Sequence, residues 1–120
     1  LGLGDGNYGL AVLPGTLAKV GDTAPAILLA HEPDIFVDVP ERIALTVCGH
    51  THGGQVVLPG IGVIHVPSRY GNRFAYGHIV EGDRHLVVSG GLGMTGLPVR
   101  FGVPPEIVLI TLGAGAAPTV

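Results

Sequence analysis

Three histidines stand at the ends of apolar segments that are typical of buried strands. His31 follows residues 26–30, and His50 and His52 follow residues 43–47. The ends of strands, and the loops after them, are where α/β folds place functional groups. Because neutral imidazole is the commonest metal ligand among side chains, these three histidines are candidate metal ligands.

The spacing of His50 and His52 predicts that the two rings point to the same side of the chain. Residues i and i+2 of an extended segment point the same way. Glycines flank the pair on both sides and permit close backbone approach and unusual dihedral angles. His31 would converge on the same point if its strand neighbours that of His50. An H-x-H pair alone does not separate metal ligation from chance, and the glycines favour ligation.

The other histidines and the single cysteine are interpreted as structural. His65, His78 and His85 lie within strand-like segments and lack such glycine flanks. Cys48 ends a buried segment and is interpreted as a small core residue instead of a nucleophile. Nothing else in the sequence resembles the site of a serine or cysteine hydrolase.

Arg100 is a candidate substrate-binding residue, because a guanidinium can bind two phosphate oxygens at once. The favoured alternative is a half-buried arginine that pairs with Glu106 or with backbone carbonyls. A polar loop over residues 69–73 could also touch a substrate, although a solvated loop is the simpler interpretation.

Composition bounds the fold and excludes some functions. The chain has 120 residues, one domain at most, and only 12% of them are charged, against about 25% in average soluble domains. The net charge of −3 and the lack of a basic patch argue against nucleic-acid binding. No signal peptide is visible. Glycines and prolines interrupt the longest uncharged stretch, which argues against a membrane-spanning helix. So charge-poor a chain is expected to have part of its surface covered by something else.

The pattern of apolar segments predicts an α/β beginning followed by a series of strands. A short helix is predicted over residues 14–20 and a helical turn over residues 33–39. A turn at residues 81–84 between two β-rich segments indicates a hairpin. The predicted strands cover residues 26–30, 43–47, 56–58, 63–66, 76–80, 85–89 and 106–112.

The histidine segments resemble motifs of a known family. Residues 48–55, Cys-Gly-His-Thr-His-Gly-Gly-Gln, resemble the G-H-x-H motif of the calcineurin-like metallophosphoesterases. Residues 28–34 resemble the upstream segment that carries their single metal-binding histidine. Residues 90–93 and 97–107 are similar to the subgroup of predicted phosphohydrolases of the YaeI/YkuE type. The resemblance covers residues 3–112, nearly the whole chain.

The resemblance implies a four-layer α/β/β/α sandwich with two mixed sheets and a dinuclear metal centre at the strand ends. His31 and His50 would ligate one ion and His52 the other. Mn, Fe, Zn or Co would suit such ligands. Two divalent ions would clamp a phosphoryl group and activate a water that hydrolyses a phosphomonoester or phosphodiester. The substrate would be a phosphate-ester small molecule or lipid.

The family carries three motifs upstream of the histidine that His31 resembles, D-x-H, G-D-x-x-D and G-N-H/D, and none of them occurs before His31 in the sequence. In the family they supply a bridging aspartate, an asparagine ligand and the histidine that serves as general acid. Three imidazoles without a bridging carboxylate leave the repulsion between two cations uncompensated. The chain is therefore interpreted as the C-terminal half of a metallophosphoesterase: residues 1–112 belong to its single domain and residues 113–120 form a flexible tail.

This interpretation predicts that the N-terminal half is the chain's partner and that the isolated chain is inactive. A cytoplasmic or peripheral membrane location is expected. One alternative is a non-catalytic, strand-rich module that binds metal weakly or only packs on a partner. Another is dinucleotide binding, because residues 4–9 match G-x-G-x-x-G. That motif needs a strand before it and a helix after it, and here the signal is weak.

Overall fold

Strands and short turns dominate the computed structural model of the chain, which describes residues 2–3, 12–21, 23 and 25–113. The one α-helix in this part, α1, spans Leu13–Leu17 and is shorter than predicted. It begins beside Pro14, whose fixed φ suits a first helical turn. A 3-10 helix over Pro33–Asp38 matches the predicted helical turn. The strands are β1 (Ala26–Leu29), β2 (Ile43–Cys48), β3 (Val57–Leu58), β4 (Gly62–Val63), β5 (Gly77–Glu81) and β6 (Arg84–Val88).

Four of the strands form a mixed sheet in the order β1-β2-β6-β5. β1, β2 and β6 run parallel, and β5 pairs antiparallel with β6 as the predicted hairpin. The mixed α/β class is therefore confirmed. Because parallel strands share a direction, the carboxyl ends of β1, β2 and β6 meet at one edge of the sheet. That edge carries the segments that follow Leu29, Cys48 and Val88.

The main core cluster packs on the face of this sheet that carries Leu28 and Leu86. Phe36 and Phe74 are fully buried there and meet edge to face, with ring centroids 5.7 Å apart. They pack with Leu28 of β1 and Leu86 of β6. Arg84 fixes the 3-10 helix to the sheet, because its guanidinium donates to the carbonyls of Phe36 and Val39. This layer holds β1 and β2 in register at the edge that carries the histidines.

The opposite face of β1 is open, although a continuous apolar segment such as residues 26–30 is typical of a strand buried on both faces. Ile27 is 36% exposed and Leu29 is 52% exposed. No further sheet covers them within the described residues. The apolar composition of this strand alone therefore does not decide which of its faces is buried.

The remaining segments are irregular or minor. β3 and β4 form a small antiparallel pair, tied by the bridge of Val56 to Phe101. The strand predicted over residues 106–112 is wrong: residues 106–110 belong to no strand of the described part, and only Thr111 forms a bridge. The predicted dinucleotide motif at residues 4–9 and most of the predicted tail, residues 114–120, lie outside the described residues. No helix in the described ranges is long and apolar enough to cross a membrane.

Candidate metal centre

Parallel pairing of β1 with β2 brings His31 and His50 together. The pairing continues past the strand ends, since the Ala30 N–H donates to Val47 and the Gly49 N–H donates to the His31 carbonyl. The His50 Nδ1 then lies 3.0 Å from the His31 Nε2, with the ring centroids 4.7 Å apart. The expected convergence of these two histidines is confirmed.

The distance between these two ring nitrogens is the one expected of two nitrogens that ligate the same cation. Imidazole nitrogens bind Zn²⁺ at about 2.0–2.1 Å, so neighbouring ligands at 90–110° lie about 2.9–3.4 Å apart. His31 is exposed and His50 is half-buried, so an ion could reach the pair from solvent. Without an ion the two rings share a hydrogen bond, which requires one ring to donate and the other to accept.

His52 does not join this pair, and the reason is the backbone. His50 and His52 have φ values of 68° and 53°, so the segment is not extended and the i, i+2 argument is wrong here. A 3-10 turn over His52–Gly54 carries the second ring away from an extended path. Its Nδ1 lies 3.0 Å from Oε1 of Gln55. No three His, Cys, Asp or Glu side chains of the described residues gather into a metal site.

Unusual backbone conformations concentrate in this loop. Among the described non-glycine residues, positive φ occurs at His50, His52 and Gln55. Such conformations cost of order 1–2 kcal/mol each and gather at functional sites, where surrounding contacts impose them. Thr51 supplies one such contact: its buried hydroxyl donates to the Ala75 carbonyl at 2.6 Å. The loop is therefore held in shape by the rest of the fold.

Two glycines in the loop have no room for a side chain. Gly53 and Gly54 both have positive φ, and a Cβ on Gly53 would lie 2.7 Å from Val103 Cγ1. A Cβ on Gly54 would collide with Val63 Cγ1. The flanking glycines that favoured ligation at the sequence level thus have a structural role: they let the loop pack against β4 and the segment after Arg100.

Gln55 connects His52 to a distant loop. Its amide nitrogen donates to the carbonyls of Thr95 and Leu97 at 3.0 and 2.8 Å. Its Oε1 accepts from the Thr95 N–H at 2.8 Å. The signal for this residue in the sequence was only its place after the glycines, so side-chain chemistry alone could not have found it.

A cavity of about 270 Å³ opens beside the two histidines of the motif. Apolar side chains form much of its wall, and no Lys, Arg, Asp or Glu of the described residues lines it. Polar groups come from Thr51, His65 and Thr95. His65, interpreted from sequence as an ordinary sheet residue, thus lies outside any strand and beside the site. The apolar wall consists of Val56, Ile64, Pro67 and Leu97.

Arg100 is engaged by the backbone. Its guanidinium donates to the carbonyls of Gly90, Gly93 and Val103. It is not among the residues that line the cavity. These contacts match the structural alternative, and a role for Arg100 in substrate binding stays a prediction.

Glu106 anchors the loop that follows β6. It accepts from the Tyr76 hydroxyl at 2.5 Å and from the Gly90 N–H at 2.8 Å. Burial raises the pKa of Glu106, but these hydrogen bonds, a weaker one from Ser89 and the charge of Arg100 outweigh it and lower the pKa. The hydrogen bond to Glu106, with burial, raises the pKa of Tyr76.

The single cysteine belongs to the core. Cys48 is buried, and burial raises the pKa of its thiol to about 12, so the core interpretation is confirmed.

His78 and His85 lie across the β5–β6 hairpin with their Nε2 and Nδ1 atoms 2.9 Å apart. Sequence reading missed this second histidine pair, whose signal is the position of both residues on one face of a hairpin.

Comparison with known proteins relates the chain to one family. It is 46% identical over 101 residues to the uncharacterised metallophosphoesterase YkuE of Bacillus subtilis, which is 82% of this chain and 34% of YkuE. It is 36% identical over 92 residues to the phosphodiesterase YaeI of Escherichia coli, 73% of this chain and 32% of YaeI. An uncharacterised metallophosphoesterase of Aquifex aeolicus is 32% identical over 80% of this chain and 36% of its own length.

No family model and no solved structure matches the chain. The chain spans about a third of the length of these relatives. The matched region nevertheless covers most of the chain, and these three relatives are named metallophosphoesterase or phosphodiesterase. On this evidence the chain belongs to the YaeI/YkuE-like metallophosphoesterases.

Proposed function

We propose that the chain is the C-terminal part of a metal-dependent phosphohydrolase and supplies His31, His50 and His52 to a dinuclear centre. The observation that carries the proposal is the 3.0 Å approach of the His31 and His50 ring nitrogens at the strand edge. Family relatives named metallophosphoesterase and phosphodiesterase support the reaction class. When bound, two divalent ions of the Mn, Fe, Zn or Co kind would polarise the phosphoryl oxygens and supply an activated water.

The chain's own residues prepare the site before any ion arrives. The β1–β2 pairing holds the His31 and His50 nitrogens at ligand spacing, and the loop places His50 and His52 in the wall of one cavity. The remaining ligands, a bridging carboxylate among them, would come from the other two thirds of a protein as long as the relatives. In that complete protein the mixed sheet would form one of two sheets in a four-layer sandwich.

The cavity supports a substrate with an uncharged, apolar organic group next to the phosphoester. Its wall offers Ile64, Pro67 and Leu97 for contact and carries no cationic side chain that would favour a second phosphate. An apolar wall of this kind gains affinity by removing hydrocarbon surface from water. Aryl or lipid-like esters should therefore be better substrates than small polar phosphoesters.

Histidine replacement in the full-length protein tests the reaction. His50→Ala and His52→Ala should each reduce Mn²⁺-dependent hydrolysis of an aryl phosphodiester by at least 100-fold, because each removes a metal ligand. His78→Ala is the matched control, since it removes an exposed imidazole outside the site. Full activity in both site variants would overturn the proposal.

The alternative, a module that binds one ion weakly or only packs on a partner, has one supporting observation. The described residues bring two imidazoles together but not a third ligand. Metal analysis of the purified 120-residue chain tests whether its own residues form a complete site. Less than one ion per chain is expected here, and stoichiometric occupancy by two ions would contradict the need for ligands from elsewhere.

A further inference from the structure

We propose that Gln55 is a positioning residue that fixes His52 in the tautomer with its hydrogen on Nδ1, so that the bare Nε2 is the ligating atom. The inference rests on the proposed function only for the role of Nε2. The tautomer itself follows from hydrogen bonds around the Gln55 amide, which lie within the chain.

The orientation of the Gln55 amide is set by its partners. One end of the amide lies 3.0 Å from the Thr95 carbonyl oxygen and 2.8 Å from the Leu97 carbonyl oxygen. Carbonyl oxygens only accept, so this end must be the NH₂ group. The other end is therefore Oε1, and it accepts from the Thr95 N–H at 2.8 Å. Turning the amide over would set an oxygen against two carbonyl oxygens and the NH₂ group against an N–H.

The tautomer of His52 follows from that orientation. The His52 Nδ1 lies 3.0 Å from Gln55 Oε1, which has no hydrogen to donate. Nδ1 must therefore carry the hydrogen, and a neutral imidazole has only one. Nε2 is left with its lone pair exposed for a cation. An outer residue that fixes the tautomer of a metal-binding histidine in this way commonly raises metal affinity 10- to 100-fold.

The backbone conformation of Gln55 sets the direction of its side chain. Its φ of 54° is in the left-handed region, which glutamine seldom adopts. Its N–H donates to the His52 carbonyl at 2.9 Å, and its own carbonyl accepts from the Phe101 N–H at 2.9 Å. The residue is thus held at both ends of its peptide unit. It links the turn at His52 to the loop at Thr95, which walls the cavity.

Two substitutions separate the two roles of the Gln55 side chain, as acceptor for His52 and as donor to the loop at Thr95. Gln55→Met removes both the acceptor for His52 and the donor for the loop. Gln55→Glu keeps an acceptor for His52 and removes the donor, so it should loosen the loop without releasing the tautomer. Both variants are made in the full-length protein, so that the missing ligands are present.

The first readout is the tautomer, measured from the imidazole ¹⁵N shifts of His52 at a pH where the ring is neutral and no metal is present. Wild type and Gln55→Glu should show the Nδ1–H form, and Gln55→Met should show a mixture. The His65 ring, which lines the same cavity, should not change. An unchanged Nδ1–H form in Gln55→Met would overturn the inference, whatever the protein's activity.

The second readout is calorimetric affinity for Zn²⁺. Gln55→Met should bind the ion 10- to 100-fold more weakly than wild type, and Gln55→Glu should stay within about threefold. Faster amide exchange at residues 93–97 should appear in both variants. Equal loss of Zn²⁺ affinity in both would show that Gln55 only holds the loop and would overturn the positioning role. Failure of the proposed function would be seen separately, as full activity in His50→Ala and His52→Ala.

Discussion

Two buried threonine hydroxyls have opposite surroundings and test how single side chains contribute to stability. Within the described residues, the hydroxyl of Thr46 on β2 is buried without a hydrogen-bond partner, whereas that of Thr51 donates to the Ala75 carbonyl at 2.6 Å. A buried hydroxyl without a partner loses its bond to water and gains nothing. Thr46 stands between Leu28 and Leu86 in the sheet, where valine has the same shape and fits the apolar surroundings.

Thr46→Val should raise the free energy of unfolding by about 1 kcal/mol, because it removes a polar atom that the fold does not satisfy. Thr51→Val should lower it by about 1–3 kcal/mol, since it leaves the Ala75 carbonyl without its donor. Urea unfolding followed by circular dichroism measures both. A loss of stability in Thr46→Val would mean that the hydroxyl has a partner after all.

The bond between Tyr76 and Glu106 predicts a pH range of greatest stability. The pKa of Glu106 is lowered in the fold, so its contribution is present above the ordinary glutamate pKa, about 4.3, and is lost on acidification below it. The pKa of Tyr76 is raised, so its contribution is present below the ordinary tyrosine pKa, about 10, and is lost above it. The urea midpoint should therefore be flat between these limits and fall at both ends. In Glu106→Gln the fall at the acid end should be smaller, and an identical acid limb would contradict the assignment.

At the scale of residues, the sequence predicted which histidines come together but not which side chains hold them in place. The approach of His31 to His50 followed from two strand ends, because parallel pairing fixes where strand ends meet. The Gln55 contacts could not be predicted, since they depend on positive φ at three non-glycine residues. Residues other than glycine seldom adopt a positive φ, and the packed surroundings impose it in this loop.

At the scale of elements, the turn that carries the histidines depends on close packing as well as on backbone freedom. Gly54 and Gly60 both have positive φ, at 82° and 76°, but only Gly54 has a neighbour where a Cβ would stand. That neighbour is Val63 of β4, a short strand that packs behind the turn. The two glycines therefore separate the cost of conformation from the cost of contact.

Gly60→Ala should lower the free energy of unfolding by about 1–2 kcal/mol, the cost of a left-handed alanine. Gly54→Ala should lower it by more, because Val63 must also move. Gly54→Ala should in addition weaken Zn²⁺ binding in the full-length protein, since the turn holds His52, whereas Gly60→Ala should not. Thermal unfolding and calorimetry measure the two effects. Equal behaviour of the two variants would show that the contact with Val63 is easily relieved.

The strands that could be predicted are those whose partners lie within the chain. β1, β2, β5 and β6 were recognised because their apolar segments pair with one another. The segment over residues 106–112 has the same β-rich composition but is not a strand of the described sheet. A strand exists only when hydrogen bonds to a neighbour satisfy its backbone, so composition cannot decide the matter alone.

For the whole molecule, exposed apolar residues are the main unusual feature. Ile107 and Leu109 are 85% and 82% exposed, and Leu29 on the open face of β1 is 52% exposed. This distribution agrees with the expectation, drawn from the low content of charge, that another layer covers part of the surface. Apolar surface of this kind marks sites of association or sources of aggregation.

The isolated chain should therefore self-associate as its concentration rises, which sedimentation velocity between micromolar and hundred-micromolar protein would show. Replacing both Ile107 and Leu109 with serine should shift the onset of association to at least several-fold higher concentration, because the double variant removes two large exposed side chains from one segment. Ile61→Ser is the matched control: Ile61 is 73% exposed but lies in the β3–β4 turn, away from that segment. In the full-length protein, amides at residues 107–109 should exchange more slowly than in the isolated chain, since the covering layer would then be present. A chain that remains monomeric throughout, with no change in exchange on adding the rest of the protein, would contradict the covered surface and leave the low charge content without a physical cause.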